Sequence, residues 1–292
     1  MSATAKHSRL NDEQRAERRR AERELARQAV EQLRSSDGWR AWLSTRRHFH
    51  SYSLGNQLLI AMTHPTATRV AGFRAWLQLG YAVNKGEHAI RIWAPCPPSR
   101  KQLENWRQNS ADPAERPRTF FKLAPVFAQD QVGALPPPAT PAPLEPPHHQ
   151  LEGDELAPVI PALDQFAAEI GCTVTEEPIL GSAHGYYEID TGRIVIDSAL
   201  SANARVKTRC HELAHALIRR ERHDQDPELD RAAEELVVES IAYTTVGALG
   251  ISSAGYSIPY LASWAEQADL QILERVAGLI DRHATRIENA VL

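Results

Sequence analysis

No stretch of the chain reaches the run of about eighteen apolar residues that a membrane-spanning helix needs. Residues 1–11 are polar and lead into alternating charge, so neither a signal peptide nor a membrane anchor is expected and a cytoplasmic setting is the default. Cysteine is scarce as well. Cys96, Cys172 and Cys210 are far apart and odd in number, which argues for reduced thiols over a disulfide framework, and none has zinc-knuckle spacing.

What is present is enough apolar residue, 42% of 292, for two ordinary domains. The net charge of −4 hides a division: residues 1–133 carry 22 Lys and Arg against 12 Asp and Glu, and the remainder carries 11 against 25. A basic half joined to an acidic one points to a polyanion-binding module attached to a module that need not touch the polyanion, or to two halves that dock on one another.

The acidic half holds the chemistry. Cys210-His211-Glu212-Leu213-Ala214-His215 is an HExxH motif in an apolar, helix-favouring context. On a helix the i,i+4 spacing projects His211 and His215 from one face, where two neutral imidazoles suit a borderline-soft divalent ion. Glu212 lies beside them as a candidate base for a metal-activated water. Cys210 points away from the pair and is expected to pack. A two-histidine site needs an anionic third ligand, and a second apolar helix over residues 233–243 offers Glu235 about twenty residues beyond His215. Glu239, one turn further on, is placed to accept the second ring N–H of a ligand histidine. Zinc is the expected ion, with manganese or cobalt as possible substitutes.

The basic half begins with a charged arm, residues 11–33, free of Gly and Pro and expected to be helical, docking from about Leu25 onward. A helix from Trp39 towards Phe49, a turn, a second helix and a β-hairpin over residues 80–93 are expected next. Aromatics interleaved with cations are the ingredients of single-strand recognition, since bases stack on flat faces while cations meet phosphates. Tyr52, Asn56, Arg69, Arg74, Lys85 and Arg91 are the contact candidates at loop and strand positions. Trp76 joins them, although its helical spacing, like that of Trp39, Trp42 and Phe73, favours the core.

Residues 101–118 are polar and read as an insertion between strands. The seven prolines of residues 136–147 form a linker expected to run as polyproline II. Beyond it come an amphipathic helix over residues 162–170 and a hairpin over residues 185–197 turning at Thr191-Gly192. Ser201 is a candidate cap for the HExxH helix. Helices near residues 260–264 and 270–287 are expected to close the fold.

The motif H-E-L-A-H followed by E-E-L-V-V-E-S-I-A-Y resembles the HExxH-plus-Glu metallopeptidases of gluzincin type, especially the ImmA/IrrE and ArdC-like families. The runs Y-S-L-G-N-Q-L-L-I, P-T-A-T-R-V-A-G-F-R-A-W, G-Y-A-V-N-K-G-E and F-K-L-A-P-V-F-A-Q-D-Q-V resemble the N-terminal single-stranded-DNA-binding domain of ArdC-like antirestriction proteins, over about residues 39–132. The resemblance implies an α+β chain: a helical arm (1–34), a helical single-strand-binding domain with a small β-sheet (35–133), a proline linker (134–152) and a zincin-like metallopeptidase domain (153–292). It implies a peptidase of antirestriction type with single-stranded DNA as partner and a protein substrate of unknown identity. Two alternatives stay open: a non-proteolytic strand-binding protein with a structural metal domain, and a regulatory peptidase that cuts a repressor.

Overall fold

A computed structural model gives the architecture of residues 12–109, 116–136, 141, 153–181, 183–250 and 268–292. Helix α1 (Asp12–Glu31) is the charged arm. It meets the core through Ala29 and partly buried Leu25, and a following 3-10 turn buries Leu33. The Ser35 hydroxyl accepts the Gly38 N–H at 3.0 Å and starts α2 (Ser36–His48). Helix α3 (Leu54–Thr63) packs back on α2.

The expected hairpin over residues 80–93 does not form. Strand β1 (Val70–Ala71) and the short helix α4 (Phe73–Gln78) precede β2 (Tyr81–Val83), and β2 pairs with β5 (Val132–Ala134). Strand β3 (Ile90–Cys96) pairs instead with β4 (Phe120–Ala128), which also receives β1. Buried Gln131 explains the choice. Its carboxamide accepts Ala128 N–H and donates to Glu87 and the His88 carbonyl, each at 2.9 Å. The 84–89 loop is thereby held against the β4–β5 corner, away from a turn that would fold β2 onto β3. The polar insertion carries a helix of its own, α5 (Arg100–Asn109), with no buried residue.

In the acidic half, α6 (Ile160–Glu169) leads into a sheet of order β6-β8-β7, made of β6 (Thr173–Glu177), β7 (Gly185–Glu188) and β8 (Arg193–Asp197). The hairpin β7–β8 turns at Gly192, whose φ of 71° suits glycine. Strand β6, parallel to β8, was not expected because Thr173 to Glu177 reads as polar. Its glutamates are matched by cations: Glu177 by Arg193, and Glu176 by Arg205 and the buried Arg209. Helices α7 (Ala202–Arg220), α8 (Arg231–Ala248) and α9 (Leu270–Val291) complete the described chain. The polyproline linker and the helix expected near 260–264 fall largely outside the described residues. No helix among the described residues is long and apolar enough to cross a membrane.

The basic-half helices do not keep a core to themselves. Trp39, Trp42 and Leu43 of α2 and Leu58 and Leu59 of α3 belong to one apolar cluster with Val237 and Val238 of α8 and Leu279 and Ile280 of α9. At Gly247 of α8 an added Cβ would lie 2.8 Å from the Arg47 Cβ, so the two helices meet where only glycine fits. Arg46, fully buried on α2, donates to both oxygens of buried Glu288 at 2.6 and 2.9 Å, to Asp281 at 2.9 Å and to Thr285 at 3.1 Å. All three partners are on α9. A smaller cluster, Phe49, Ile60, Val70, Ile90, Ile92 and Val126, supports the β1-β4-β3 sheet.

Candidate metal centre

Ser201 caps α7, its hydroxyl accepting the Ala204 N–H at 3.4 Å. The helix buries Val206, Cys210, Leu213, Ala214 and Leu217, and this apolar stripe fixes its rotation. His211 and His215 are left on the flank that faces α8, their ring centroids 5.1 Å apart. Asp230 caps α8 through the Ala233 N–H at 2.8 Å, which sets where its glutamates fall along α7. Glu235 reaches both rings: its carboxylate lies 3.9 Å from His211 Nε2 and 3.6 Å from His215 Nε2. One donor atom from each of His211, His215 and Glu235 lies within 4.8 Å of the others.

The donor set fits a divalent ion. Tetrahedral zinc with bonds near 2.1 Å would need its ligand atoms about 3.4 Å apart; the two Glu235 contacts, at 3.9 and 3.6 Å, are close to that, and the widest spacing in the set, within 4.8 Å, is brought in by side-chain movement of about an ångström. The outward ring nitrogens are also engaged. His211 Nδ1 lies 3.3 Å from Glu239 and His215 Nδ1 lies 3.1 Å from Glu234. With both Nδ1 atoms facing carboxylates, both Nε2 atoms are left for the same point in space. Sequence reasoning gave Glu234 no role. Arg219, four residues after His215, lies one turn along the same face, and an acid that meets both was the available signal.

Glu212 is buried at 5% exposure. Burial pushes its pKa up to about 7; His211 opposes this, and the charges of Glu235 and Glu239 add to it. Burial also acts against the charged form of His211, but the hydrogen bond to Glu239 and the charges of Glu212, Glu239 and Glu235 outweigh it and raise the His211 pKa. For His215 burial prevails over Glu234 and lowers the value. The bond to His211 lowers that of Glu239 against desolvation. Cys210 packs as expected: it is fully buried, and burial drives its thiol up to about 12.

The strand-contact candidates divide. Arg69, Arg74, Lys85 and Arg91 are exposed. Half-buried Tyr52 lines a groove of about 610 Å³ together with Ser51, Trp93, Pro95 and Phe121. Two candidates are corrected. Trp76 is fully buried, donates its indole N–H to the Phe127 carbonyl at 2.9 Å and meets Tyr81 edge-on, so no ring face is left for a base. Asn56 is 8% exposed, and its carboxamide bonds the Trp93 carbonyl at 2.9 Å and N–H at 2.7 Å, holding α3 to β3. Phe120 and Phe121 went unnoticed and are both more than 60% exposed. Adjacent aromatics on a strand point to opposite faces, so the pair alone signalled that one ring would lie off the core.

A model of the N-terminal domain of anti-restriction factor ArdC matches residues 19–127, and a model of the IrrE N-terminal-like domain matches residues 167–246. The chain is thus similar to the ArdC N-terminal domain over one region and to a peptidase-like domain over another, in that order along the sequence. The second match contains α7, most of α8 and all of His211, Glu212, His215, Glu234, Glu235 and Glu239. Helix α9, with Asp281 and Glu288, lies beyond both matches. A Bacillus anthracis protein of uncharacterized function, pXO2-81, is 25% identical over 270 residues. That alignment covers 81% of this chain and 44% of the relative, so the chain spans less than half the relative's length. Two crystal structures of the antirestriction ArdC protein from the R388 plasmid are also similar. The Mn(II)-bound one is 20% identical with a TM-score of 0.45, covering 80% of this chain and 82% of that one. The metal-free one is 21% identical with a TM-score of 0.43, covering 81% of each.

Proposed function

We propose that the chain is a metallopeptidase of antirestriction type whose basic region binds single-stranded DNA. The observation that carries the peptidase reading is the approach of Glu235 to within 4 Å of both HExxH imidazoles, with Glu212 buried beside them. His211, His215 and Glu235 hold a divalent cation, zinc by donor preference and manganese or cobalt as substitutes. Bound there, the cation supplies a Lewis acid that activates water and polarises a carbonyl. Glu212 takes the proton from the attacking water and returns it to the leaving amine. Strand β7, at the edge of its sheet and packed on α7, offers the backbone groups along which a substrate peptide lies in extended form.

On the strand-binding side, Tyr52, Trp93 and Phe121 line the groove that takes bases by stacking, and Arg69, Arg74, Lys85 and Arg91 meet phosphates. The combined reading is tested with one preparation assayed two ways. A library of quenched peptides is cleaved by the zinc-loaded chain, cleavage falls to background with a chelator, and zinc or manganese restores it. Retention of a labelled oligo-dT strand is unaffected by the chelator. Cleavage that persists undiminished after metal removal, or a loaded chain that cleaves no member of the library, overturns the peptidase reading. Equal affinity for duplex and single strand across a salt series overturns the strand-binding one.

A further inference from the structure

We infer that Glu234 and Arg219 are positioning residues for the metal centre, with Glu234 holding the His215 ring and Arg219 holding Glu234. The inference rests on the metal reading of His211, His215 and Glu235 given above. The Glu234 side chain is 15% exposed, well below the 49% of its neighbour Glu235. One of its oxygens lies 3.1 Å from His215 Nδ1 and 3.1 Å from Arg219 Nη2, and the other lies 3.1 Å from the same Arg219 nitrogen. The Glu234 carboxylate is thus fixed by two cationic or donor groups on α7, one turn apart. A carboxylate so held accepts the Nδ1 proton, fixes the ring in the tautomer whose Nε2 carries a lone pair, and prevents rotation about the Cβ–Cγ bond.

The support of the two histidines is unequal. Glu239, which serves His211, is 41% exposed, whereas Glu234 is sheltered and bridged to an arginine. Arg219 and Glu234 also line a hollow of about 240 Å³ together with Ile218, Arg222, Asp226 and Leu229. Losing Glu234 should therefore weaken cation binding more than losing Glu239. A pair that only joined α7 to α8 would change the melting temperature of the metal-free chain and leave cation affinity alone.

The test is cation binding by the full chain and its variants, measured by competition with a chelating dye, with the cobalt absorption spectrum and the metal-free melting temperature recorded alongside. E234A is expected to bind zinc about 10–100-fold more weakly than the wild type and to shift the cobalt bands. E234Q, whose amide oxygen still accepts the Nδ1 proton, is expected to recover part of that loss. R219A is expected to fall between wild type and E234A, and E239A to lose less than E234A. Should E234A fold poorly, E234M, which keeps the length and apolar stem but no acceptor, gives the comparison. Affinity within about twofold of wild type and an unchanged cobalt spectrum in E234A or E234M overturns the inference, since loss of an outer-shell partner ordinarily costs tenfold or more. A wild-type chain that binds no cation overturns the metal reading itself.

Discussion

Replacing Arg46 by leucine is expected to destabilise the chain by about 3–5 kcal/mol, the cost of leaving a buried charge without its partner. Arg46 is fully buried and Glu288, which accepts two of its hydrogen bonds, is 2% exposed. Asp281 is less affected, because it also accepts a hydrogen bond from Gln57 at 2.9 Å and keeps 20% exposure. Among the described residues Glu288 has no comparable relief. The double variant R46L/E288L is expected to recover much of the loss, since apolar groups of similar volume can replace a buried ion pair at little net cost. Urea unfolding of wild type, both single variants and the double variant closes the cycle. A loss below about 1 kcal/mol in R46L, the size of an ordinary surface change, would mean that α2 does not seat on α9 in this way. Because the basic-half helices share a core with α8 and α9, one cooperative transition is expected by every probe.

Glu212→Gln is the second substitution with a large expected effect. Peptide hydrolysis should fall by about 100- to 10,000-fold, the usual contribution of a positioned general base. Cation content should not change, because the three donor atoms that converge come from His211, His215 and Glu235. The amide has nearly the shape of the acid but cannot accept the proton. Glu212 is buried, and burial disfavours its charged form, so the variant is expected to be as stable as the wild type or more so. Full-rate hydrolysis by the variant would remove Glu212 from the role of base, and loss of the cation would make it a ligand.

What could be read from residues alone was mostly local. The i,i+4 spacing of His211 and His215 is a property of one helix, and Ser201 as a cap needs only the next three residues. The β7–β8 hairpin is equally short-ranged, with its alternating run and Thr191-Gly192 turn. Glu235 required one further step, a return helix, and α8 brings its carboxylate within 4 Å of both rings. What escaped was set by distant partners. Trp76 and Asn56 are taken out of reach by Phe127 and Trp93, 51 and 37 residues away. Strand β2 meets β5 rather than β3 because Gln131 holds the intervening loop. The contact of Arg46 with Glu288 crosses 242 residues and a change in the sign of local charge. The same charge division that suggested a separate polyanion module also supplies the complementary pairs that seal α2 onto α9.

Everything proposed for the acidic half depends on one cation among His211, His215 and Glu235. The direct measurement is zinc titration of the purified full chain beside Glu235→Ala, with metal content determined after gel filtration. About one zinc per wild-type chain and little or none in the variant, at unchanged helix content, is the result expected of a site with three protein ligands. Equal zinc content in the two proteins would contradict the site.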